Sequence, residues 1–306
     1  MTDKTGVFGR LRSFTNADLI FDVSDEGPLD GPVIVALHGF PDRAANLRSM
    51  ISSLTAAGFR VLAPDQRGYS PGARPPGVRA YAVERLASDV LALADHARLA
   101  KFHVVGHDWG AAVAWELAAA HPHRVATVTA LSVPHPSAFF AAMPRGQLLR
   151  SWYMIAFQLP WLPERVLGFL FQLRRRADQR RDPGRQRRAR DEGVAEFWRE
   201  PGAATGALNW YRAMLYRTAR PARVRVPALY VWSTGDRFLG RAAAELTERY
   251  VDGPYRFEVL EGVSHWIPHD RPHQVAELIV THINTSGDPL LDEVPADDAG
   301  GGACSI

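Results

Sequence analysis

Asp108 stands at the centre of the pentapeptide GHDWG, Gly106 to Gly110. An apolar run, Phe102 to Val105, precedes it, and a run of small, helix-forming residues, Ala111 to Ala120, follows. That order reads as strand, tight turn and helix. A turn this sharp needs small residues at its flanks, because side chains at Gly106 and Gly110 would run into their neighbours and the central residue is held in a strained conformation. The apex residue is then lifted clear of the sheet. Where the apex is serine, it attacks acyl carbons after a histidine takes its proton. Here it is aspartate, already ionised at neutral pH. A carboxylate at this place can displace a leaving group from a saturated carbon, giving an alkyl-aspartyl ester that water then hydrolyses.

The second of those steps needs a base. Asp236 follows an apolar run in ALYVWSTGD, and His265 lies in GVSHW after the run RFEVL. An aspartate in a Gly-Asp turn is ordinary, and so is one histidine among 11. Their joint placement after the last two strand candidates makes His265 the candidate base toward water and Asp236 the group that orients its other ring nitrogen. The tetrahedral intermediate needs hydrogen-bond donors, and the backbone N–H groups of Trp109 and of Phe40, in the HGFP of His38 to Pro41, are the candidates.

The elements that must hold these groups lie on either side. Residues 10 to 24 read as two short strands joined by the turn-like TNAD. Val33 to Leu37 is wholly apolar, as for a strand buried on both faces. A helical stretch, Asn46 to Ala57, and a strand, Arg60 to Ala63, come next. After a loop rich in Gly and Pro, Val83 to Ala97 carries apolar residues at helical spacing, and Val125 to Val133 is the strand after the elbow. This alternation predicts an α/β architecture with a mostly parallel central sheet and helices on both faces. It breaks at Pro134. Residues 135–221 read as aromatic-rich helix without a strand. Strand Ala228 to Trp232, helix Ala242 to Tyr250, strand Tyr255 to Leu260 and helix Gln274 to Ile283 then restore it. The expected organisation is a core in two parts, 1–134 and 222–285, a helical module at 135–221, and an acidic, disordered tail at 286–306.

Composition narrows the function. The chain has 306 residues, enough for a large domain with an inserted module, and 46% are hydrophobic, an ordinary share for a globular protein. No run approaches the roughly 20 apolar residues of a membrane span, and MTDKTGVFGRLRS lacks the pattern of a signal peptide. Cys304 is the single cysteine, which excludes an intramolecular disulfide and fits a reducing, cytoplasmic setting. The net charge is +3. Arg174 to Arg190 holds nine arginines and two aspartates, a local +7, so the remainder is −4. With no interleaved aromatics, this run reads as a solvated surface, and no nucleic-acid partner is expected.

The order of elements, with Asp108, Asp236 and His265 in that chain order, resembles the α/β-hydrolase fold across residues 10 to 285. Within that superfamily, HGFP, GHDWG and two motifs of the insert, SWYMIAFQLP with Tyr153 and NWYRAM with Tyr211, resemble the epoxide hydrolases. The resemblance implies two cap tyrosines that hydrogen-bond the epoxide oxygen and protonate the forming alkoxide, a vicinal diol as product, and neither cofactor nor metal. The implied partners are a small lipophilic epoxide and water, with no membrane; a homodimer is left open. Phe40, Trp109, Trp152, Phe157, Leu239 and Trp266 are expected to line an apolar substrate pocket, and His38 is assigned to the same pocket, bracing the oxyanion loop rather than performing chemistry. Two alternatives stand. Haloalkane dehalogenases look similar at GHDWG, although many carry asparagine at the place of Phe40 and lack the tyrosine pair. A catalytically silent member of the fold would use its arginine-rich cap to dock an anionic partner.

Overall fold

The computed structural model describes residues 9–180, 192–216 and 222–287. Outside them lie Cys304, nearly all of the tail expected at 286–306, and positions 181–190 of the arginine run.

Eight strands form one sheet in the order β1-β2-β4-β3-β5-β6-β7-β8. The strands β1 (Ser13–Asn16) and β2 (Leu19–Glu26) are antiparallel to each other, and β2 is antiparallel to β4 (Arg60–Pro64). From β4 the sheet runs parallel through β3 (Val33–Leu37), β5 (Phe102–His107), β6 (Val125–Leu131), β7 (Ala228–Ser233) and β8 (Tyr255–Leu260). Every residue of β3, β4, β5, β6 and β7 is buried. Their continuous apolar runs follow from cover on both faces. On one face Leu86, Val90 and Leu93 of α2 (Val83–His96) and Val113 and Leu117 of α3 (Trp109–Ala120) join the core. On the other, Met50, Ile51 and Leu54 of α1 (Arg48–Ala56) meet Val275, Ile279 and Ile283 of α12 (Pro272–Thr285).

The described residues between β6 and β7 are largely helical and contain no strand. Their helices are α4 (Pro136–Ala141), α5 (Gln147–Arg150), α6 (Trp152–Ala156), α7 (Leu162–Arg180), residues 192–197 as α8, and α9 (Ala203–Ala213). Beyond β7 come α10 (Arg241–Leu246) and the short α11 (Ile267–Asp270). Two expected elements are shorter than anticipated. The strand expected to reach Val133 stops at Leu131, because Ser132 turns into the left-handed region at φ 73°. The helix expected over Ala242 to Tyr250 is α10 followed by a 3₁₀ turn, Thr247–Tyr250.

Polar contacts fasten the helical insert to the core. The Trp210 indole on α9 donates to the Arg67 carbonyl at 2.8 Å. Arg43 and Arg74 of the core both bind Glu200 of the insert, at 2.8 and 2.5 Å. Arg67 is itself held by a buried bidentate pair with Asp89 of α2, both bonds at 2.7 Å. Asp89→Ala is therefore expected to destabilise the fold by about 3–5 kcal/mol, since it leaves a buried guanidinium without its counter-charge. A lower urea midpoint at unchanged slope would register the loss.

Candidate active site

The apex between β5 and α3 is Asp108, at φ 52° and ψ −120°. A non-glycine residue held there costs about 1–3 kcal/mol. The flanking glycines make the turn sterically feasible: a Cβ at Gly106 would strike the Gly110 backbone, and one at Gly110 would strike the Leu37 backbone. Gly39, on the loop after β3, lies so close that a Cβ there would run into the Asp108 side chain.

Each oxygen of the Asp108 carboxylate faces a different partner. The Phe40 N–H donates to Oδ1 at 2.8 Å, and Oδ2 lies 3.2 Å from His265 Nε2. The Trp109 N–H opens α3 in the next peptide. Burial alone would raise the Asp108 pKa, but the hydrogen bond and charge of His265, then the His107 charge and the Phe40 N–H, outweigh it and hold the carboxyl below its ordinary range.

On the far side of the imidazole, His265 Nδ1 is 2.7 Å from Asp236 Oδ2. The other Asp236 oxygen accepts from the N–H groups of Phe238 and Leu239, at 2.7 and 2.9 Å. Burial would also lower the His265 pKa; the Asp236 charge, followed by hydrogen bonds to Asp108 and Asp236, reverses this and pushes it up to about 10. At neutral pH an imidazolium thus sits between two carboxylates.

Residues for which the sequence suggested no chemistry hold this arrangement in place. The His265 carbonyl accepts from Ser132 Oγ at 2.7 Å and from His107 Nε2 at 3.0 Å. Burial above all, then the His265 charge, lowers the His107 pKa to about 4, so this ring is neutral with its proton on Nε2. From the insert, Gln147 donates to the Phe238 carbonyl at 2.7 Å and accepts from the Gly240 N–H at 2.9 Å, while Arg150 donates to the Asp236 carbonyl at 3.1 Å. Single polar residues in a helical run carry no sequence signal for such bonds.

The expected pocket consists of two cavities that meet at Asp108. One, of about 110 Å³, is lined by Trp109 and Leu239; the other, of about 750 Å³, by Phe40, Trp152, Phe157, His265 and Trp266. Tyr153 and Tyr211 line both, as does Asp108. Tyr211 is wedged edge-on among Phe40, Trp109 and Phe157, with centroids 4.9–5.2 Å apart. Burial first, then the Asp108 charge, raises both phenols well above their ordinary value, so both are neutral donors at pH 7. His38 is corrected only as a pocket residue: it lines neither cavity, and its bonds are those of a brace. Fully buried, it donates from Nδ1 to the Gly39 carbonyl at 3.0 Å and accepts the Gln66 N–H on Nε2 at 3.1 Å, while Gln66 returns a bond to the His38 carbonyl at 2.6 Å. These bonds tie the loop carrying Phe40 to the one after β4.

Comparison with known proteins shows the family and the fold. A family model described as alpha/beta hydrolase fold matches residues 32–272. The AB hydrolase superfamily protein YfhM of Bacillus subtilis is 36% identical, over 88% of this chain and 96% of its own. Epoxide hydrolase A of Mycobacterium tuberculosis is 32% identical, over 84% and 92%. Among solved structures, Epoxide Hydrolase A from Mycobacterium thermoresistibile superposes with a TM-score of 0.76 at 30% identity, covering 89% of this chain and 97% of that one.

Proposed function

From the premise that this chain belongs to the epoxide hydrolase family of the α/β-hydrolase superfamily, we propose that it opens a lipophilic epoxide through an ester on Asp108 and hydrolyses that ester with His265 and Asp236. One observation carries the reading: the Asp108 carboxylate, with Phe40 on one oxygen and His265 on the other, faces the same two cavities as two neutral phenols.

In the first step Oδ2 attacks a ring carbon, the C–O bond breaks, and Tyr153 or Tyr211 gives its proton to the alkoxide. Charge leaves Asp108 as the ester forms. His265 then loses two of the influences that held its pKa near 10, so its pKa falls and it gives up its proton to become a free base. The proton it releases balances the one the phenol gave. Water, deprotonated at Nε2, attacks Cγ; the oxyanion develops on Oδ1, where the N–H groups of Phe40 and Trp109 receive it. Cleavage of the bond from Cγ to Oδ2 expels the diol oxygen, which takes the proton of the newly added hydroxyl, so the vicinal diol leaves and the Asp108 carboxylate is restored beside protonated His265. In this reading the insert is the cap that supplies the phenols, and no cofactor or metal takes part.

The test is a single turnover in H₂¹⁸O with enzyme in excess over an aryl epoxide. The new diol oxygen comes from Asp108, so the first product is expected unlabelled, with the label in the protein and in later product. Label in the first diol would refute the ester route. Tyr153→Phe and Tyr211→Phe are each expected to slow ring opening by about 10–10²-fold in a stopped-flow burst, with ester hydrolysis little changed.

A further inference from the structure

The outer wall of the larger cavity is apolar and open to solvent. Leu149, Trp152, Leu159, Leu162, Val166 and Leu170 all line it, yet Leu149 is 80% exposed and Trp152 66%. On α7 the stripe continues: Leu162, Val166, Phe169, Leu170 and Leu173 recur at helical spacing and all face outward, with Phe169 63% exposed. The opposite side of α7 makes the contacts with the protein, through Gly168 and Phe171 against Trp198. Trp161 is exposed beside it, with the Arg165 guanidinium 5.3 Å over its ring. The stripe runs directly into Arg174 and Arg176, both exposed, which belong to the run of nine arginines that the sequence carries from Arg174 to Arg190.

An exposed apolar area this continuous marks a contact surface. Its chemistry selects the occupant. A second copy meeting this face symmetrically would set the arginines Arg174 and Arg176 of one helix toward those of the other. The chain's own tail offers opposite charge but few large apolar side chains, Leu290, Leu291, Val294 and Ile306, against ten on this surface from Leu149 to Leu173. A helix with Leu, Val and Phe on one side, Trp161 just before its start and arginines toward its end suits the boundary between acyl chains and anionic headgroups. No described helix is long and apolar enough to cross a membrane, so the contact is one of lying on the surface.

We propose that α7, with the exposed residues of α5 and α6, docks on an anionic lipid surface and turns the mouth of the larger cavity toward the acyl layer, where a lipophilic epoxide would concentrate. The sequence suggested no membrane partner because it was searched for spans; an interfacial face shows itself only once the packed side of α7 is known.

The test is co-sedimentation of the full chain with phosphatidylcholine vesicles, with and without about 30 mol% phosphatidylserine. The companion is the triple variant Trp161→Asn, Phe169→Gln, Leu173→Gln, whose positions line neither cavity. Wild type is expected to bind the anionic vesicles at least about tenfold more tightly than the neutral ones and to be released by salt. The variant should bind about 30-fold more weakly while hydrolysing a water-soluble epoxide at the wild-type rate. Equal binding by variant and wild type, or no binding of wild type to either vesicle, would overturn the proposal. So would a dimer in light scattering that the same substitutions dissociate, which would make a second copy the occupant. Sedimentation does not depend on turnover, so failure of docking and failure of the epoxide hydrolase reading are separately visible.

Discussion

Asp108→Ala is expected to lower turnover of any epoxide substrate by about 10⁵–10⁶-fold, the scale of removing a covalent nucleophile whose neighbours act only through it. The remaining donors, Phe40 and the two phenols, would still bind the substrate but could form no ester. Steady-state kinetics should show kcat collapsing with KM little changed, and intact mass should show no adduct. A residual rate within about 10²-fold of wild type would mean that another group attacks the substrate, and the ester route would fall. The same position predicts a stability difference. Asp108 is held at φ 52°, where a glycine is at ease and an alanine is not. Asp108→Gly should therefore be equally inactive yet unfold about 1 kcal/mol or more later than Asp108→Ala. Equal midpoints would show that the elbow stores no strain.

His265→Gln separates the two chemical steps. The carboxylate remains and the ring can still open, but no base activates water, so ester hydrolysis should slow by about 10²–10⁴-fold and the adduct should accumulate. Mass spectrometry is expected to find a gain equal to the whole epoxide on the peptide that holds Asp108. A gain of an alkyl group alone, seen only with a haloalkane, would make the enzyme a dehalogenase. The wild-type pH profile carries the complementary test. In the free enzyme His265 has a pKa raised to about 10, so below that pH it is protonated; once Asp108 is esterified the pKa must fall for His265 to act as a base. Ester hydrolysis in single-turnover experiments should therefore rise with pH and level off well below pH 10. A half-rise near pH 10 would show that the Asp108 charge is not what holds the proton on His265. Ring opening should persist to pH values below the ordinary aspartate range, because the Asp108 pKa is depressed.

The order of strands and the chain positions of Asp108, Asp236 and His265 were legible because they rest on local signals. Buried parallel strands write themselves as apolar runs, and the elbow writes itself as glycines two residues on either side of Asp108. The helical character of the described residues within 135–221 was legible for the same reason. What a linear pattern cannot carry is how non-neighbouring segments share space. The division into two cavities depends on Tyr153 and Tyr211, 58 residues apart in sequence, meeting over Asp108. His38 illustrates the same limit: two residues before Phe40 in sequence, it bonds to Gln66 in the core and lines neither cavity. Gln147 and Ser132 gave no sign because a lone amide or hydroxyl has no spacing to read.

The bonds from Gln147 and Arg150 to the 236–240 loop bear on inheritance. The segment that shapes the substrate space also carries part of the scaffolding of the acid, so it does not travel as an independent cassette. A chimera that exchanged residues 135–221 with a relative would arrive with foreign hands on that loop. New specificity in this lineage would thus come more readily from residues facing the two cavities, one at a time, than from recombination at the insert boundaries, unless the 236–240 loop moved with it.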